Sequence, residues 1–146
     1  IAKKNTKVKS ARLIKQINIE KKLKVDSVSY YKTFKKKIKK IKYKIHNDFK
    51  NYKKNNKIIY TLGAPAKGNT LLNFCNLNSG LIDLSLEKNF LKCNKYTPGT
   101  NIPIIHEDEV LNEPDIILVL IWNLKDIAVK KIKKKFPNAK LYFPNK

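Results

Sequence analysis

The run Ile116-Ile117-Leu118-Val119-Leu120-Ile121 constrains the fold of this chain more than any other stretch. Every position is apolar, so neither alternate face suits contact with water, and the run is far too short to cross a bilayer. Rich in β-branched residues and preceded by Pro114-Asp115, it reads as a central strand, over residues 115–121, that is covered on both faces.

The segments around it alternate in the way such a strand requires. Residues 58–62, Ile-Ile-Tyr-Thr-Leu, read as a strand, 67–75 as a helix and 81–86 as a second strand. Residues 89–105 read as irregular, with Pro98-Gly99 and Pro103 as breakers. A short helix is expected near 108–112, its acids in the first turn. Residues 124–136 predict a basic-ended helix stopped by Pro137, and 141–143 a last strand. This alternation predicts an α/β fold with a small doubly wound parallel sheet. Ligands collect at the carboxyl ends of the strands in such sheets. Those ends carry Gly63 to Asn69, Glu87-Lys88-Asn89 and Trp122-Asn123.

The most suggestive of these ends is the junction Gly63-Ala64-Pro65-Ala66-Lys67-Gly68-Asn69-Thr70. A strand that enters a helix through a glycine-bounded turn aims unpaired N–H groups at one place, and the helix dipole adds positive character there. Lys67 contributes a full charge. Two well-known phosphate loops fail here. A P-loop needs Lys and Ser/Thr directly after its second glycine, whereas Lys67 precedes Gly68 and Asn69-Thr70 follow it. The dinucleotide fingerprint needs a glycine where Pro65 stands, which counts against an ordinary NAD enzyme. The plainer reading is a tight β–α connection whose helix is capped by Asn69 or Thr70. Glu87 lies at about the distance from the first glycine at which an acid takes a ribose hydroxyl in dinucleotide folds. Trp122 offers a flat face and Asn123 both a donor and acceptors. The plainer reading of Trp122 is an amphipathic residue at a strand end.

The 33 Lys/Arg and 11 Asp/Glu of the 146 residues give a net charge of +22, distributed unevenly. Residues 1–57 hold 21 basic against 3 acidic side chains, a net +18, which leaves +4 for residues 58–146. Arg12 is the only arginine, whereas base readout and bidentate phosphate contacts favour arginine. Specific nucleic-acid binding is therefore disfavoured, and weak attraction at low salt is expected from charge alone. Within the basic half, Leu13, Ile14, Ile17 and Leu23 mark a short helix after Ser10. Val28, Tyr31, Phe34, Ile38, Ile41, Ile45, Phe49 and Tyr52 recur every three or four residues, predicting a long amphipathic helix capped by Asp26 or Ser27. Its apolar stripe calls for a protein surface to pack on rather than a membrane, although a basic amphipathic helix keeps the membrane option open. Cys75 and Cys93 have metal-site spacing with nothing and read as free thiols of a cytoplasmic protein. The chain contains no methionine, which points to a fragment or a processed product.

Three blocks carry a family resemblance: Gly63 to Asn73, Lys95-Tyr-Thr-Pro-Gly-Thr-Asn-Ile-Pro-Ile104, and Pro114-Asp115 followed by Trp122-Asn-Leu-Lys-Asp126. In this order and spacing they resemble the C-terminal domain of the S-adenosylmethionine-dependent nucleotide-sugar C-methyltransferase family. The resemblance implies a three-part enzyme with an N-terminal zinc domain, a central S-adenosylmethionine domain and a C-terminal Rossmann-like domain. On that pattern residues 1–25 are a connecting segment from an upstream domain, 26–56 the long basic helix, and 57–146 the Rossmann-like domain. The family's Tyr-x-Glu-His base and cofactor loop lie upstream, so no catalytic residue, metal site or cofactor site is expected here. His46 and His106 have no evident catalytic partner in the sequence. The implied task is to hold the nucleotide-linked sugar with Gly63, Ala64, Lys67, Gly68, Asn69, Thr70, Glu87, Lys88, Trp122 and Asn123, in partnership with the zinc and S-adenosylmethionine domains. Departures are Glu87-Lys88-Asn89-Phe90 for Asp-Arg-Asn-Pro, Asn94 for glycine and Asn101 for histidine. The rival reading is a basic module that contacts nucleic acid or an acidic partner.

Overall fold

Strand β1 (Ile59–Leu62) is buried at all four positions, and β5 (Ile116–Val119) likewise. They pair in parallel, with Ile59 opposite Ile116 and Leu62 opposite Val119. The computed structural model describes residues 10–121 and 125–144. On the other side of β1 lies β2 (Leu84–Glu87), also parallel, with Tyr60 opposite Leu84. Beyond β2 come the parallel β4 (Pro103–His106) and the antiparallel edge strand β3 (Lys95–Tyr96), while β6 (Lys140–Tyr142) flanks β5. The order is therefore β3-β4-β2-β1-β5-β6. The chain winds outward from β1 through β2 to β4, then crosses back to place β5 on β1's other side, so the order reverses between β1 and β5.

Alternation along the central strands feeds two cores. Ile59, Ile116, Leu118 and Leu120 join Ile45 and Phe49 of α2 (Val28–Lys54) and Leu72 and Cys75 of α3 (Ala66–Cys75) on one face. Tyr60, Leu62, Ile117 and Val119 join Ile132 of α4 (Lys125–Lys135) and Phe136 just beyond it on the other. Helices thus cover both faces, as the continuous apolar run predicts. Burial pushes the Cys75 thiol up to about 11, against a smaller opposing pull from Lys42, so it is a protonated core residue at neutral pH. Two carboxylates tie the amino ends of the strands. Asp115 accepts from Ile58 N–H and Lys57, and Asp83 from Ile59 N–H and Lys53.

Four local expectations are corrected. The second strand starts at Leu84 instead of Leu81, because Leu81 and Ile82 donate to Asn78 O in a turn at Asn78-Ser79-Gly80. The stretch 89–105 holds a 3₁₀ turn (Phe90–Lys92), β3 and most of β4. The helix expected near 108–112 is a turn, in which Glu109 N–H reaches His106 O. Asn69 and Thr70 lie inside α3, whose N-cap position is Pro65, and neither caps it. Thr70 Oγ1 instead donates back to Ala66 O at 3.3 Å.

The chain divides into two units, residues 1–40 and 41–146, and the sheet belongs to the second. In the first unit, α1 (Ala11–Leu23) is capped by Ser10, whose Oγ accepts from Leu13 N–H. Ser27, not Asp26, caps α2: its Oγ accepts from Tyr30 N–H and donates to Lys24 O. No residue of α1 is buried, and Tyr31 and Phe34 of α2 are exposed. No helix among the described residues is long and apolar enough to cross a membrane.

Candidate functional site

The β1–α3 turn is shaped by two glycines. Gly63 has φ +83°, and a Cβ there would stand 2.6 Å from Ile121 Cγ2, so both conformation and space exclude a side chain. At Gly68 a Cβ would lie 3.0 Å from Leu120, which shows how closely the first turn of α3 approaches the end of β5. Behind the turn, Thr61 Oγ1 donates to Ser85 Oγ at 2.7 Å and Ser85 Oγ to Gly63 O at 3.3 Å. These buried hydroxyls satisfy each other and fix the turn to β2.

Glu87 is the hub on the β2 side. Its Oε2 accepts from Ala64 N–H at 3.0 Å and from Lys92 Nζ at 3.4 Å; its Oε1 accepts from Lys88 N–H at 2.9 Å and Asn89 N–H at 3.1 Å. A carboxylate offers about four acceptor positions, and all are taken. Lys92 also donates to Ala64 O at 3.2 Å. Burial pushes the Glu87 carboxyl up, but the Ala64, Asn89 and Lys88 N–H groups together with Lys92 outweigh it and hold it below its ordinary value. The side chain, 13% exposed, is therefore an ionised clasp joining the β1 turn to the end of β2.

A cavity of about 350 Å³ opens at the point where strand order reverses. Leu62, Leu86, Ile121 and Ile132 give it apolar walls, and Lys88, Lys92 and Lys131 stand along it. Glu107, buried after β4, holds Lys131 and accepts from Lys135 through its backbone carbonyl. Lys88 is exposed and its ammonium makes no ion pair among the described residues. Glu107 could not be found from sequence, because its partner sits 24 residues away on α4.

The expected site residues divide around the turn. Gly63, Glu87 and Lys88 line this cavity, whereas Ala64 and Asn69 line a second one of about 430 Å³ on the other side, with Lys92, Lys95, Tyr96 and Pro98. Asn73 Nδ2 donates to Asn69 O and to Pro98 O, both at 2.9 Å, so α3 holds the Pro98-Gly99 turn in place. Two of the motif blocks, 63–73 and 95–104, thereby meet at one cavity. Lys67 is half-buried in the first turn of α3, Gly68 is buried against Leu120, and Thr70 is exposed. Trp122 and Asn123 lie outside the described residues. Asn94 adopts φ 58° and Asn101 φ 53°, left-handed conformations that asparagine tolerates. Asn94 thus takes a shape that glycine, the residue of the family pattern, also adopts.

The two histidines have structural partners. His46 Nδ1 meets Cys75 O at 3.0 Å. His106 stacks on Phe90 with ring centres 4.0 Å apart, and its Nε2 meets Lys88 O at 3.2 Å. Among the described residues no three His, Cys, Asp or Glu side chains gather as a metal site.

The model of the C-methyltransferase C-terminal domain family matches residues 1–143. A curated relative, the C-methyltransferase NovU of Streptomyces niveus, is 37% identical over 68 residues. That stretch is 46% of this chain but 16% of the relative's length. With its α/β sheet, its glycine-bounded turn and this match across nearly its whole length, the chain belongs to the C-methyltransferase C-terminal domain family.

Proposed function

We infer that this domain positions a nucleotide-linked deoxysugar for carbon methylation within a longer, S-adenosylmethionine-dependent enzyme. The observation that carries the reading is the cavity at the reversal of strand order, with apolar walls and lysines at its edge. Such a space suits a ligand with an apolar body and an anionic end, as a deoxysugar diphosphate has.

Methylation at carbon needs a base to remove the proton beside a keto group, stabilisation of the charge on oxygen, and close placement of the reacting atoms. Neither histidine is placed to serve as that base, each having a backbone carbonyl as partner. The contribution of this chain is placement. Lys88, at that cavity, is assigned to the anionic end, and Lys67 in the first turn of α3 is assigned to it from the sequence; Gly63, Ala64, Gly68, Asn69 and Thr70 are assigned to the turn beside it. Trp122 and Asn123, which follow Ile121 in the sequence, are assigned to substrate binding on the family resemblance alone.

Glu87 stands where an acid would take a ribose diol, but its acceptor positions are filled by the protein itself, which argues against S-adenosylmethionine in this cleft. The methyl donor is assigned to an upstream domain, and a zinc site to another, both partners of this one. In the full-length enzyme, Lys67→Ala and Lys88→Ala should each raise KM for the nucleotide-sugar about tenfold, the weight of one charge-assisted contact. KM for S-adenosylmethionine should not move. Unchanged sugar KM in both variants would overturn the reading.

A second reading, docking on a polyanion, is favoured by the exposed lysines of α1 and α2. It requires binding that maps to residues 1–57 and survives moderate salt.

A further inference from the structure

The cavity at the reversal of strand order has a second carboxylate in its wall, and it is bonded differently from Glu87. Glu107 follows β4 and is buried, its side chain 10% exposed. Its backbone is clamped on both sides: the N–H donates to Glu87 O at 3.0 Å, and the carbonyl accepts from Lys135. Its Oε1 accepts from Lys131. Its Oε2 meets no donor among the described residues, yet it is not sealed from solvent as Asn69 Oδ1 is, and Glu107 lines the cavity. Lys131 lines the same wall with its side chain 52% exposed, and it uses one of the three donors of its ammonium on Glu107. A carboxylate that served only to hold α4 would gain by closing its second oxygen within the protein, as Glu87 does. The oxygen left beside an apolar cavity calls for an occupant that donates to it.

We propose that Glu107, together with Lys131, reads the hydroxyl pattern of the sugar in this cavity. One ring hydroxyl donates to Glu107 Oε2. The neighbouring ring substituent, a hydroxyl or a keto oxygen, accepts from a remaining N–H of Lys131 Nζ. Leu62, Leu86, Ile121 and Ile132 take the carbon face of the ring, including a carbon that lacks its hydroxyl. Other ligand classes fit worse. An apolar molecule would leave Oε2 unmet, and a phosphate at this point would meet a carboxylate of like charge. Because the backbone of Glu107 is held by β2 on one side and α4 on the other, the acceptor is in place before the ligand arrives, and little ordering cost falls on binding. The inference rests on the reading of this domain as the holder of a nucleotide-linked sugar, and it names the residue that decides which sugars are accepted.

The test is an NMR titration of the 146-residue protein with uridine 5′-diphosphate glucose, beside one with uridine 5′-diphosphate, which lacks the sugar. The expected result is movement of Glu107 and Lys131 with the sugar nucleotide and not with the diphosphate. Glu107→Gln and, at an exposed position without risk to folding, Lys131→Gln should each weaken binding of the sugar nucleotide about tenfold, the weight of one charge-assisted contact. Binding of the diphosphate should stay unchanged in both, whereas a merely structural pair would move both affinities or neither. If the sugar nucleotide moves Gly63, Glu87 and Lys88 but not Glu107, or if both variants bind it as the wild type does, the hydroxyl-reading role is wrong and the sugar-holding role stands. If millimolar sugar nucleotide moves no residue of this cavity, both fail.

Discussion

On the β2 side of the β1–α3 turn, Glu87 has every acceptor position filled by Ala64, Lys88, Asn89 and Lys92. On the β3 side, a few residues along the same chain, Asn69 ends in a buried oxygen bonded to nothing. One side closes its hydrogen bonds and the other leaves one open. The closed side maintains the shape of the turn, because ionised acceptors gripping backbone N–H groups leave the loop few alternatives. The open side carries a defect that stability alone would remove. Which polar groups are already satisfied is thus a better guide to what holds the turn than which polar groups are present.

Substitutions on the two sides should differ in kind. The largest loss is expected from Gly63→Val on the closed side, where a β-branched residue meets both a positive φ and Ile121 Cγ2. About 3 kcal/mol or more of stability should vanish in urea denaturation, without a change in the slope of the transition. Glu87→Gln comes next, with about 1–3 kcal/mol, because one N–H or ammonium of the clasp then faces an amide nitrogen.

The pH dependence of that clasp has a definite sign. The Glu87 carboxyl is held below its ordinary value in the folded state, so its contribution is complete above the unfolded value of about 4.3 and is lost as pH falls through the folded one. Wild-type stability should fall in that acid range, and Glu87→Gln should fall less steeply. Some slope should persist, since the Asp115 carboxyl is also lowered, first by its hydrogen bond from Lys57. Parallel acid limbs for the two proteins would break the clasp. The smallest effect on stability is expected on the open side: Asn69→Ala should stay within about 0.5 kcal/mol of wild type or exceed it, since alanine favours the helix and no partner is orphaned. A loss comparable to that of Glu87→Gln would mean that Asn69 is structural and would erase the contrast.

Much of the fold was legible because burial on both faces writes itself into consecutive residues. Ile116 to Ile121 and Ile58 to Leu62 led to β5 and β1, and three- and four-residue spacing led to α2. β4 was not legible: it opens on Pro103, which reads as a breaker, and only Ile104 and His106 of its four residues are buried. The turn after it resembled a helix start because Glu107, Asp108 and Glu109 look like first-turn acids, whereas Glu107 is instead buried and held by Lys131. In the candidate site, Gly63, Glu87 and Lys88 were legible as residues at strand ends that share a cavity. That Glu87 grips the protein itself could not be read, because only folding brings Ala64 and Lys92 to its carboxylate. Asn69 was singled out for the turn it follows, and its unpaired oxygen emerges only once the chain has folded around it.

The most direct test of the central claim is a chemical-shift titration of the 146-residue protein with a nucleoside-diphosphate deoxysugar at low and at moderate salt. The account predicts shifts at Gly63 to Thr70, Glu87 and Lys88 that persist when salt is raised, with exposed lysines of α2 unmoved. Shifts spread over the lysines of α2 and abolished by salt would contradict it, reducing the interaction to attraction between a polyanion and a chain of net charge +22.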